Sequence, residues 1–165
     1  MSVRGIRLYP DPVLKQVASP VGTIDDDALS LATDLVDTMR SHERCVGVAA
    51  NQIGVLRRCI CVDVTGHAKA RSSNGLIVLF DPEIVGSDGS EVAREGCLSL
   101  PDLTANVRRA TDVKVRGLTP ERQQRTIVTD AFEARALLHE IDHLDGILFL
   151  DRVDNIAKDV FARRR

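Results

Sequence analysis

The sequence predicts an α+β fold in one domain, with antiparallel β-sheets packed around a central helix that carries the motif HExxH. Three observations predict it. Two long segments, 23–43 and 130–145, have helical spacing and lie far apart in the chain. The strand-like segments between them come in runs and do not alternate with helices, which favours antiparallel pairing. The length of 165 residues suits a single domain over 1–165, able to bury about two thirds of its unfolded surface.

The elements follow in order. "YPDPVL" (9–14) is an extended, proline-punctuated start. Residues 23–43 form the first helix, capped by Asp25 or Asp26, with Leu31, Leu35 and Met39 at helical spacing. "VGVAANQIG" (46–54) is small and contains glycine. "RRCICVDV" (57–64) is a strand in which Cys59 and Cys61 share a face, as small core side chains. A polar loop spans 65–75, and "LIVLFDPEIV" (76–85) is a strand broken by proline. Residues 112–130 form a hairpin, with Val113 and Val115 alternating with charges and "GLTPE" as the turn. The second long helix begins near Asp130, with Glu133 at the capping-box position and Gly146 as its stop. "ILFLDRV" is expected as a short strand and "NIAKDVFARRR" as a short terminal helix.

Composition narrows the function. Hydrophobic content of 44% and a net charge of −2 fit neither a disordered chain nor a DNA-binding surface. No apolar run reaches the roughly 18 residues of a membrane helix. The N-terminal segment lacks the apolar core of a secretory signal. The expected compartment is the cytoplasm, where Cys45, Cys59, Cys61 and Cys97 would be thiols.

The chemistry sits in "ALLHEIDHLDG" (136–146). At about 100° per residue, Phe132, Ala136, His139 and His143 fall in one stripe with Glu140 at its flank. Leu137, Ile141 and Leu144 make an apolar face. Arg135, Leu138, Asp142 and Asp145 share the remaining, mostly polar side. Two histidines on one stripe can share an ion while the glutamate reaches a water on it. A third ligand is needed, and the residues after His143 include no His, Cys or Glu. "EGCLSLP" (95–101) supplies a candidate. Alone it reads as a buried structural cysteine; together with the helix, Cys97 reads as the third ligand. A Cys–His–His set leaves a position open for water, whereas a structural zinc would want four protein ligands. The missing downstream ligand also argues against an endopeptidase.

"CVGVAANQ" (45–52), "EGCLSLP" (95–101) and "HEIDH" (139–143), in that order, resemble the three motifs of the peptide deformylases, bacterial enzymes that remove the formyl group from nascent chains. "YPDPVL" and "FEARALLHEIDHLDGILFLDR" resemble the family too, so the likeness covers residues 5–152. Cys45 stands where the family has glycine, and Leu138 where it usually has glutamine.

The resemblance implies one divalent ion on Cys97, His139 and His143, ferrous iron natively, with zinc, nickel or cobalt able to replace it. It implies Glu140 as the acid/base group, and the Gln52 amide and the Leu98 backbone N–H as donors to the oxyanion. Val46, Gly47 and Gly96 would pair with an extended N-formyl-methionyl peptide. Phe132 and Ala136, with Val46 opposite, are candidate walls of the methionine pocket, and plain core packing is the alternative for all three. The basic end "FARRR" is a candidate contact to ribosomal RNA near the exit tunnel, or simply solvated charge. Cys45 and Leu138 leave open a paralogue that acts on another formylated or acylated substrate. A binding module with a structural metal would need neither Glu140 nor Gln52.

Overall fold

The computed structural model describes residues 2–163. After a 3₁₀ turn at Pro12–Lys15, helix α1 runs Asp26–Ser41. Asp25 caps it by accepting from the Ala28 N–H at 2.8 Å. Strand β1 (Gly47–Ala49) leads through a 3₁₀ turn, Ala50–Ile53, to β2 (Cys59–Val62). Next come β3 (Ile77–Asp88), β4 (Glu91–Cys97), β5 (Leu100–Arg109), β6 (Asp112–Leu118) and β7 (Gln124–Asp130). Helix α2 spans Ala131–Leu144, and the chain closes with α3 (Ile156–Asp159) and β8 (Val160–Ala162). Every strand pairing is antiparallel. One sheet has the order β1-β2-β3-β6-β7, the other β4-β5-β8.

Helix α2 lies at the centre. Its Ala134, Leu137, Ile141 and Leu144 pack with Ile60, Val62, Leu79, Val115 and Ile127 of the larger sheet. Its opposite side meets the smaller sheet, where Arg135 and Asp142 bond to β4 and β5. Leu31, Leu35 and Met39 of α1 cover the other face of the larger sheet, over Cys59, Cys61 and Phe80. β2 is therefore buried on both faces, which explains its unbroken apolar run. A third cluster joins Cys97, Ala105 and Val107 to Leu148 and Phe149.

Several expectations hold. The 112–130 hairpin forms in full register, residues 65–75 form no helix or strand, and the ladder shifts between Phe80 and Glu83, around Pro82. Others are corrected. "ILFLDRV" is no strand: Phe149–Arg152 is a 3₁₀ turn, in which Asp151 accepts from the Leu148 N–H. The terminal helix is four residues long and gives way to β8, because Val160, Phe161 and Ala162 pair with β5. Glu133 does not close a capping box, and Asp130 makes no side-chain cap bond. Glu133 is fully buried and accepts instead from Asn74 and Thr129. It thereby ties the 65–75 loop to the start of α2. Arg135 and Asp142, placed on the polar side of the helix, are also buried.

Gly146 stops α2 as expected, at φ 72°. The Gly146 and Ile147 N–H groups donate to the His143 and Asp142 carbonyls. A Cβ there would lie 2.6 Å from the Lys15 carbonyl oxygen. Gly146→Ala should cost about 2 kcal/mol or more, from the left-handed backbone and this collision. A thermal melt should show a Tm lower by about 5 °C.

Candidate metal centre and active site

The ligand atoms of Cys97, His139 and His143 lie within 4.8 Å of one another, and all three residues are buried. Cys97 comes from the end of β4, where the ladder shifts between Gly96 and Cys97. The histidines come one turn apart from α2. Cys97 Sγ is 3.4 Å from His143 Nε2. Tetrahedral bonds of about 2.3 Å to sulfur and about 2.05 Å to nitrogen put those two atoms about 3.6 Å apart, so the spacing fits one shared ion.

The surroundings set the state of each ligand. His139 Nδ1 lies 2.8 Å from Glu95 Oε1. Burial opposes the charge on Glu95, but hydrogen bonds from His139 and Arg109 outweigh it and hold the carboxyl well below its usual range. An ionised Glu95 accepts the Nδ1 proton, which leaves His139 Nε2 for ligation. Burial pushes His143 well below its ordinary value, so its ring is neutral, as a ligand must be.

Glu95 anchors a wider ionic cluster. Arg109 grips it with Nε at 2.6 Å and Nη2 at 3.0 Å, and reaches Asp142 with Nη1 at 2.8 Å. Arg135 donates to Glu95 at 2.7 Å and to the Val107 carbonyl at 2.9 Å. Arg152 holds Asp142 from the 3₁₀ turn beyond. Glu95, Arg109, Arg135 and Asp142 are buried but paired and hydrogen-bonded, which offsets their desolvation, and Arg152 reaches them from the exposed surface.

Glu140 is 4% exposed. Burial pushes it up to about 7, while His139 and Arg109 pull the other way. Its Oε1 is a buried oxygen without a hydrogen-bond partner. Gly47 leaves room for it: a Cβ at 47 would sit 2.7 Å from Glu140 Oε2. Gln52 is also buried. Its Oε1 accepts from the Ala49 N–H at 3.1 Å, which turns Nε2 toward Cys97 Sγ at 3.5 Å and Ser99 Oγ at 3.1 Å.

The structure thus brings Gly47, Gln52, Cys97, His139, Glu140 and His143 together. Leu98 sits in the turn after Cys97, half-buried against the α1 side of the core. Gly96 pairs with Thr104 on β4, an edge strand. Ala136 is buried, and Val46 and Phe132 pack on the same cluster. Phe132 is also covered by His67, whose ring stacks on it at 4.1 Å.

A family model, polypeptide deformylase, matches residues 3–159. The chain belongs to the polypeptide deformylase family. A peptide deformylase of Halothermothrix orenii is 45% identical over 160 residues, 97% of this chain and 99% of its own. The crystal structure of a deformylase from Legionella pneumophila superposes with a TM-score of 0.85 at 38% identity, over 94% of this chain and 88% of that one. A deformylase of Acinetobacter baumannii, solved with Met-Ala-Ser bound, has a TM-score of 0.82 at 32% identity, over 92% and 100%. The reaction is therefore hydrolytic removal of an N-formyl group from a peptide.

Within this deformylase, the residues around the ligands were the harder part to read. Glu95 had one signal: it sits two before Cys97 on the same strand face. Arg109, Asp142 and Ser99 had none, since their partners are distant in sequence. Glu95→Ala should leave Arg109 and Arg135 without their shared partner and cost about 3–5 kcal/mol in urea unfolding. It should also weaken metal binding by about 10–100-fold in a chelator competition.

Proposed function

We propose that this protein removes the formyl group from the N-terminal methionine of newly made polypeptides and releases formate. The observation that carries this reading is the Cys97–His139–His143 group with the unpartnered Glu140 oxygen beside it. Three protein ligands leave a position open, as a catalytic ion requires. We take the native ion to be ferrous iron, with zinc, nickel or cobalt as replacements. A divalent ion held there supplies Lewis acidity and lowers the pKa of a water.

The chain's own groups do the rest. Glu140, poised near neutrality by burial, takes a proton and returns it to the leaving amine. The Gln52 amide, oriented by Ala49, and the Leu98 N–H stabilise the charge that develops on the formyl oxygen, each worth about 3–4 kcal/mol. Ser99, which holds Gln52 from the other side, is a positioning residue. The substrate lies as an extended strand against Val46, Gly47 and Gly96, on two edge strands. Phe132, Ala136 and Val46 wall the methionine pocket. The relative solved with Met-Ala-Ser supports this substrate class.

No helix of the described residues is long and apolar enough to cross a membrane, and we place the protein in the cytoplasm. We also propose a ribosome contact through the basic C-terminus. Arg164 and Arg165 lie outside the described residues. Removing Arg163–Arg165 should weaken co-sedimentation with ribosomes and spare turnover of free peptide; unchanged co-sedimentation overturns the contact.

The deciding assay is formate release from formyl-Met-Ala-Ser by anaerobically purified protein, with iron and zinc quantified in the same sample. Formate should scale with bound metal. Glu140→Ala should keep about one metal per chain and lose about 10²–10⁴-fold in rate. Retained activity would remove Glu140 from its role.

A further inference from the structure

A groove of about 710 Å³ lies beside β1, lined by Arg40, His42, Arg44, Cys45, Val46 and Asp63 among others. It continues the edge on which the substrate is read to lie. The Val46 carbonyl accepts from the Asp63 N–H at 2.8 Å, which sets the phase of the ladder. Val46 turns its carbonyl, and Val48 its N–H and C=O, to β2, so Gly47 turns its own N–H and C=O to the free edge.

The direction of the peptide follows. Toward Gln52 the path is closed, because Asn51, Gln52, Cys97 and Ser99 are all buried. A formyl group beside Cys97 and Glu140 therefore places the first residue near Gly47 and sends the rest back past Val46 and Cys45. At about 3.3 Å per residue, the third residue enters the groove.

The groove is cationic. Arg40 pairs with Asp63 at 3.2 Å, so that acid is already engaged. Arg44 is exposed and makes no ion pair or hydrogen bond among the described residues. Its φ of 63° is one that favours glycine, so the backbone is strained at the position that carries this free charge. Cys45 marks the junction: its thiol donates to the Gly47 carbonyl at 3.3 Å. Burial pushes that thiol up to about 12, so it brings no negative charge.

We propose that Arg44 makes this groove favour an acidic side chain at the third residue of the formylated peptide. The proposal rests on the deformylase reading. Its test compares kcat/KM for C-terminally amidated formyl-Met-Ala-Asp, formyl-Met-Ala-Ser and formyl-Met-Ala-Lys. At low salt the aspartate peptide should exceed the lysine peptide about fivefold, and high salt should erase the difference. Arg44→Glu should reverse the order. Equal turnover of all three by the wild type overturns the subsite and leaves the deformylase reading standing. An aspartate preference unchanged in Arg44→Glu, or insensitive to salt, removes Arg44 from it. No turnover of any peptide overturns both readings.

Discussion

The carboxylate of Glu95 is the group on which the rest of this structure depends. It is buried, and alone its charge would be too costly to keep there. Arg109, Arg135 and His139 surround it. Through them one side chain of β4 fixes β5, α2 and a metal-ligand imidazole together. Cys97, two residues on, shares its strand face, so the strand that delivers the sulfur also delivers the group that orients the nitrogen. Asp142, between the two ends of the motif's helix, repeats the device by joining Arg109 to Arg152. The smaller sheet is thus bound to the helix mainly by charge, and the larger sheet by apolar packing.

That division explains what was legible in the sequence. The apolar contacts of α2 follow its helical period, so the face of Leu137, Ile141 and Leu144 could be read directly. The ligand stripe followed the same way, and the third ligand followed from the chemistry of an open metal position. The charged contacts could not be read. Arg135 and Asp142 looked like solvent-facing residues because their partners lie far off in sequence, on strands that gave little periodic signal. β4 and β5 went unread because Arg94, Glu95, Arg108 and Arg109 interrupt the apolar alternation, two of them buried and two exposed. Glu133 was misplaced for a related reason. A glutamate three residues after Asp130 fits a cap, but the neighbouring loop offers Asn74, and tertiary bonding prevailed over local bonding.

The two sheets also have different tasks. The larger one supplies the wall against which α2 rests and, at its β1 edge, the backbone nearest Glu140. The smaller one supplies the sulfur ligand and the charge that holds the imidazole. The site forms only where both meet the helix. Its geometry is therefore a property of the whole packing, and disturbance of either sheet should reach it.

β1 has one further consequence, for self-association. A strand with an unpaired edge invites another chain to add to the sheet. Here the strand is only three residues long, and Gly47 alone turns both its polar groups outward. A second copy aligning there would gain a single pair of backbone bonds before meeting the closed end at Gln52 or the left-handed turn at Arg44. A rigid sheet edge cannot follow that bend, whereas a short, flexible segment can. The edge is thus closed to sheet-to-sheet polymerisation, and the unpaired strand escapes the aggregation hazard that usually accompanies one.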